Sequence, residues 1–275
     1  MTAHPAQRPI AQRPERSQGL ARLAFRRSAG ESRLADLHQS GSAKAFVHPG
    51  ARGPEVVFLN TSGGMTGGDR LSFGVTLEAG CKATATTQTA ERAYRSRTGL
   101  ARVEVRHDLG AGAHLDWLPQ ETILFDGSAL ERRTTVSLAA NASCLVLEAV
   151  VLGRAAMGEV VRDLSFLDRR EVLRDGQPVV IEPLRLTSGA LGAGLAVLQG
   201  ARAFASIALV AQGAEASLGP VRSVLDEPGV GAGASGFDGK LIVRLMAADG
   251  WPLRRQILRL LEVLREGPLP RVWQM

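Results

Sequence analysis

Leu77-Glu-Ala-Gly-Cys-Lys-Ala83, Leu109-Gly-Ala-Gly-Ala-His-Leu115 and Leu138-Ala-Ala-Asn-Ala-Ser-Cys144 share one shape. Each ends an extended run at a leucine, turns through a Gly or Asn that tolerates positive φ, and opens a new strand. The leucines stand 32 and 29 residues apart. Periods of this size arise from β-coils or hairpins stacked on one another, each unit burying its apolar face against the next. Eleven residues after Leu77 and Leu109 come Gln88 and Gln120, soon followed by Glu91 and Glu121. In such a stack, segments 88–96, 120–127 and 151–159 leave on the same side.

The flanking sequence fits this pattern. Leu71-Ser-Phe-Gly-Val-Thr-Leu77 and Val103-Glu-Val105 alternate apolar and polar residues, and Ala83-Thr-Ala-Thr-Thr87 is small and β-branched. Turn residues punctuate these runs from Gly19 to Leu186 at intervals of roughly ten residues, as in all-β assemblies. The C-terminal third differs. Ala203 to Ala211 alternates like a strand, whereas Ala214 to Leu225 places Leu218, Val221 and Leu225 at helical spacing. A turn at 237–240 precedes a strand at 241–246. The clearest helix has Pro252 in its first turn, Leu253, Ile257, Leu260 and Leu264 on one face, and Gly267-Pro268 as its stop. Arg254, Arg255, Arg259 and Arg265 are expected on its solvent side. The fold class expected is therefore mainly β, a stacked-strand or β-helix-like (solenoid-like) assembly with two helices in the C-terminal third.

Residues 1–18, rich in Pro, Arg and Gln, read as a disordered tail ahead of one β-rich domain over 19–275. They lack the apolar centre of a secretion signal, and no apolar run reaches the ~18 residues that span a bilayer. A cytoplasmic location, with no membrane association, is expected.

Hydrophobic residues make up 45% of the chain and charged residues 22%, as in ordinary globular proteins. The net charge of +6 rests on arginine, since Lys44, Lys82 and Lys240 are the only lysines. That charge is spread along the chain with no basic run interleaved with aromatics, which argues against nucleic-acid binding. Cys81 and Cys144 are the only cysteines, so neither a thiolate zinc site nor a disulfide scaffold is expected.

Four segments concentrate chemistry. Asn60-Thr-Ser-Gly-Gly-Met-Thr-Gly-Gly-Asp69 lacks the Gly-Lys-Ser/Thr ending and following helix of a phosphate loop, which leaves a tight turn or close backbone packing. Asp69 is a carboxylate suited to a cation. Thr86-Thr-Gln-Thr-Ala-Glu-Arg-Ala-Tyr-Arg-Ser96 is dense in polar groups, which suggests a polar network or a wet cavity. Leu118-Pro-Gln-Glu-Thr-Ile-Leu-Phe-Asp-Gly127 carries Glu121 and Asp126, but residues five apart on a strand face opposite ways. In Leu152-Gly-Arg-Ala-Ala-Met-Gly-Glu159, Met157 is expected to fill a gap in a small-residue turn. No Ser-His-Asp or Cys-His spacing supports a nucleophile. An enzyme on a β-solenoid, cleaving carbohydrate with Glu121 and Asp126, is the alternative reading.

These four segments, in this order, resemble the signature blocks of the urease accessory protein UreD (UreH) family, and Leu269-Pro-Arg-Val-Trp273 resembles the family's ending. The resemblance covers about residues 20–275, with Met65 where Leu or Val is common. It implies a non-enzymatic maturation factor that binds UreF, recruits the GTPase UreG through it, and docks on apo-urease, with a homodimer within the complex as one arrangement. It implies no permanently bound cofactor, with nickel in transit through a channel in the β-structure. Asp69, Glu91, Glu121, Asp126, Glu148 and Glu159 are the candidate weak nickel-transit carboxylates, because a passing ion needs exchangeable oxygen ligands.

Overall fold

The computed structural model describes residues 16–274. The tail expected over 1–18 lies mostly outside them, and Gln18 already belongs to the first strand. In chain order the strands are β1 (Gln18–Ser28), β2 (Glu31–Gly41), β3 (Ala43–His48), β4 (Glu55–Asn60), β5 (Arg70–Leu77) and β6 (Lys82–Thr87). There follow β7 (Glu91–Ala93), β8 (Ala101–Leu109), β9 (His114–Leu118), β10 (Thr122–Leu124), β11 (Ser128–Leu138) and β12 (Ser143–Leu152). The last are β13 (Leu164–Arg174), β14 (Gln177–Thr187), β15 (Ala203–Val210), β16 (Val230–Phe237) and β17 (Lys240–Ala247). The helices are α1 (Ser188–Gly192), α2 (Leu195–Leu198), α3 (Leu218–Ser223) and α4 (Gly250–Leu264).

These strands form two sheets. The first runs β14-β13-β11-β8-β5-β1-β2, and the second runs β16-β17-β15-β12-β9-β6-β4-β3 with β10 and β7 beside β12. The repeat read from sequence is the stacking rule. Leu77, Leu109 and Leu138 are register partners in the first sheet, and Lys82, His114 and Ser143 are partners in the second. Each coil thus leaves one sheet at the leucine and enters the other five residues later. At the turns, Gly110 N–H donates to Leu77 O at 2.8 Å and Ala139 N–H to Leu109 O at 2.9 Å, which keeps the coils in step. Gly80 and Gly112 supply the positive φ of the first two turns. In the third, positive φ falls on Ala140 rather than Asn141. There Ala140 N–H donates to Asp175 Oδ1 at 2.9 Å and Arg174 donates to Ala140 O, so the next coil holds the strained residue.

Strand alternation then assigns faces. On β8, Val103, Val105, His107 and Leu109 are buried between the sheets while Arg102, Glu104 and Arg106 face solvent. β12 is buried on both faces, which explains its nearly unbroken apolar sequence. Its Cys144, Val146 and Val150 point to the inter-sheet core, and Leu145, Leu147 and Ala149 meet a second core under α4. Leu253, Ile257, Leu260 and Leu261 of α4 complete that core.

The two C-terminal helices are present, the first as a 3₁₀ turn over Ala214–Ser217 followed by α3. The short α1 and α2 and the strand β16 have no counterpart in the sequence pattern. The run Val-Gly-Ala-Gly-Ala-Ser-Gly-Phe lacks bulky β-formers, and its strand state comes from antiparallel pairing with β17. Arg265, expected in solvent, is buried, and Arg254 is half-buried over the Trp273 ring.

Candidate functional site

The segments that follow the repeat turns converge. β7, β10 and the end of β12 form a short parallel ladder in which Glu91 pairs with Thr122 and Thr122 with Val150. Met65 joins it through Met65 N–H to Arg92 O at 2.7 Å and Tyr94 N–H to Met65 O at 2.8 Å. The four polar segments of the sequence are therefore neighbours, on one side of the stack.

The glycine-rich first segment packs backbone against backbone. A Cβ on Gly64 would stand 2.3 Å from the Tyr94 ring and 2.8 Å from Arg92 O. One on Gly67 would stand 2.0 Å from Ser96 Oγ and 2.3 Å from Thr98 O. Asp69 closes this loop: its Oδ1 accepts from Ser17 N–H and its Oδ2 from Thr66 N–H, both at 2.8 Å.

Between the sheets, behind this ladder, lies a cavity of about 70 Å³. A water needs roughly 10–15 Å³ of such space, so several fit. Phe58, Phe73 and Trp117 give its apolar wall; Asn60, Glu91, Gln120, Thr122, Arg132 and Glu148 give its polar wall. The polar density of segment 86–96 is explained here, since Thr87, Thr89 and Glu91 line the same space. Burial pushes the Glu91 carboxyl above its usual pKa against the opposing hydrogen bonds from Asn60 Nδ2 (3.2 and 3.3 Å) and Arg92 N–H (3.1 Å).

Glu148 sits on the inner face of β12 among apolar neighbours and is 3% exposed. Its Oε1 accepts from Trp117 Nε1 and Thr134 Oγ1, each at 3.1 Å, and its Oε2 meets Arg132 Nη1 at 2.7 Å. Arg132 also binds Asp168 in a fork, Nε to Oδ1 at 3.0 Å and Nη2 to Oδ2 at 2.8 Å. Burial alone would lower the pKa of Arg132, but the attraction of Asp168 and Glu148 outweighs it and the guanidinium stays charged. Alternating charges continue outward: Arg170 Nε lies 3.4 Å from Asp168, Arg170 Nη1 3.6 Å from Glu182, and Arg244 2.7 Å from Glu182 at the surface.

Of the six carboxylates singled out from sequence, Glu91 and Glu148 share this cavity. The other four are held elsewhere. Glu121 lies 3.7 Å from Arg254 Nη1. Asp126 accepts from Arg162 N–H (2.8 Å) and Asp163 N–H (2.9 Å) and pairs with Arg95, and those amides hold its carboxyl below the usual range. Glu159 accepts from Asp126 N–H and Arg154. Glu121 and Asp126 thus have separate partners. Among the described residues no group of three or more His, Cys, Asp or Glu is arranged to hold a metal ion. Met157 fills no gap: it is 73% exposed on a 3₁₀ turn.

Sequence reading missed Arg132, Asp168 and His107. All three share strand parity with core residues, Arg132 with Leu130 and Val136, Asp168 with Leu164 and Phe166, His107 with Val105 and Leu109. A charged residue on the apolar parity was the available signal. Nor does sequence spacing disclose that Ser143 Oγ lies 2.7 Å from His114 Nδ1 and Asp116 Oδ1 2.9 Å from His114 Nε2. Register brings His114 and Ser143 together, and Asp116 Oδ2 is taken by Arg265 Nε at 3.1 Å.

The sequence profile of a family described as "UreD urease accessory protein" matches residues 17–274. A protein of Cereibacter sphaeroides named urease accessory protein UreD is 61% identical over 264 residues, covering 94% of this chain and 96% of the relative. Like-named proteins of Paracoccus denitrificans and Rhizobium etli are 51% and 46% identical, over 96% of this chain and 94% and 98% of their own lengths. Among the described residues, no helix is long and apolar enough to cross a membrane.

Proposed function

Because the chain belongs to the UreD family of urease accessory proteins, we propose that it is a non-enzymatic urease maturation factor of the cytoplasm. In this reading it binds UreF, gathers the GTPase UreG through it, and docks on apo-urease while nickel, the cargo, passes between the sheets. The observation that carries the route is the inter-sheet cavity with Glu91 and Glu148 in its wall. Its donors are carboxylate, amide and hydroxyl oxygens, which bind nickel(II) weakly enough for the ion to leave again. Neither cysteine lines it, and burial pushes the Cys144 thiol up to about 12, so no thiolate competes for the cargo.

The test is urease activity and urease nickel content in a host carrying the urease operon without this gene, then with it restored. Loss and recovery of nickel are expected; full nickel loading without the gene overturns the reading. Glu91→Gln together with Glu148→Gln is expected to lower nickel content while the assembly with apo-urease persists. Normal loading by that variant counts against the route through the cavity.

A further inference from the structure

We propose that Arg132 is the displaceable counter-ion of the inter-sheet cavity, holding Glu148 until a divalent cation enters and then resting on Asp168 alone. The inference rests on the transit reading above and concerns how that passage is kept closed.

Four observations carry it. Glu148 has one oxygen, Oε1, satisfied by Trp117 and Thr134, whereas Oε2 is bound by Arg132. Arg132 binds Asp168 through Nε and Nη2, and Thr122 Oγ1 accepts from Nη1 at 3.0 Å, so release of Glu148 leaves the guanidinium hydrogen-bonded and neutralised. Its charge also lies 5.6 Å from the Phe166 ring centroid, a further favourable contact that does not involve Glu148. Both Arg132 and Glu148 face the cavity, where there is space for an ion with part of its water shell.

The charge count explains why such a device suits the site. Without Arg132, Glu148 would stand as an unpaired charge in a low-dielectric wall, which is costly. A permanent partner of equal strength would instead shut the oxygen off from any cation. An arginine shared between two carboxylates does neither. It neutralises Glu148 at rest, and a doubly charged ion outcompetes its single charge at short range. It also weakens the ion's hold, since the guanidinium returns to Glu148 as the ion departs. The register pairing of Arg132 with Asp168 across β11 and β13 fixes the resting place by backbone geometry.

The test is equilibrium dialysis of nickel(II) against the purified full-length protein, with its unfolding transition measured alongside. Arg132→Met is expected to bind nickel(II) about tenfold more tightly than the parent, because the competitor is gone. Adding Glu148→Gln is expected to abolish the gain. Asp168→Asn is expected to weaken binding several-fold, since Arg132 then has only Glu148 to neutralise it. A merely structural ion pair would not move the two single variants in opposite directions. If Arg132→Met lacks a cooperative unfolding transition, Arg132→Met with Asp168→Asn removes one charge of each sign and is expected to show the same gain. Affinity equal to or below the parent in the folded Arg132 variant overturns the proposal. Dispensability of the gene for urease nickel content overturns the transit reading instead, so the two failures are distinguishable.

Discussion

Arg265 and Asp116 stand 149 residues apart in sequence and form a buried pair, Nε to Oδ2 at 3.1 Å. The contact fastens the segment after α4 to β9, in the middle of the second sheet. Burial opposes ionisation of Asp116, but its bond to His114 and the charges of Arg265 and Arg52 hold its carboxyl below the usual range. Arg265→Met leaves that carboxylate short of its closest cation. The expected loss is about 3 kcal/mol, the low end for a broken buried pair, because His114 and Arg52 still face Asp116. Urea unfolding followed by circular dichroism measures it; a loss below about 0.5 kcal/mol, within the usual scatter of surface substitutions, would show that the pair is not a fastening.

The segment after α4 should matter as much as the helix itself. Trp273 is buried, its Nε1 donates to Leu118 O at 2.9 Å, and Arg254 stacks over its ring at 4.7 Å. Trp273→Ala is expected to destabilise the protein by about 3–5 kcal/mol. Removal of residues 269–275 should do at least as much, read as a lowered thermal midpoint.

Two glycines of the first polar segment should respond differently. Gly63 has φ +75, and a Cβ placed there would meet nothing within 4 Å, so Gly63→Ala incurs only backbone strain of about 1 kcal/mol. Gly67→Ala drives a methyl into Ser96 and the Thr98 carbonyl, and is expected to cost about 1–3 kcal/mol. Equal unfolding midpoints for the two variants would contradict the packing described.

His107 sets an acid limit. It is fully buried, its Nδ1 accepts from Val75 N–H at 3.2 Å, and Nε2 has no hydrogen-bond partner among the described residues. Burial lowers its pKa from 6.5 to about 3. Above pH 6.5 the ring is neutral folded and unfolded, and it has no effect on the pH dependence. Below 6.5 the unfolded chain binds a proton that the folded one refuses, so stability falls toward pH 3 by about 1.4 kcal/mol per unit. His107→Gln keeps an acceptor but cannot titrate, and is expected to flatten the decline between pH 6.5 and 4.5 by about one proton. Unfolding free energies at three pH values decide this; a slope unchanged by the substitution would refute it.

The sequence by itself determined the coil repeat, the β-rich class and the amphipathic α4. These depend on local rules: a leucine ending each strand, a turn that accepts positive φ, period-two alternation, and a helical apolar stripe. It also marked the four polar segments, because dense polar groups beside apolar strands need partners. Tertiary structure alone decided which polar groups meet. Glu91 and Glu148 are 57 residues apart in number and reach one cavity only because coils stack and two sheets close over them. Asp69, Glu121, Asp126 and Glu159 look equivalent to them in sequence, yet backbone amides and arginines, some local and some from distant segments, bind them instead. Arg132 shows the same division. Its strand parity, legible in the sequence, sends it inward, but its two carboxylate partners come from β12 and β13, and only register and sheet packing bring them within 3 Å.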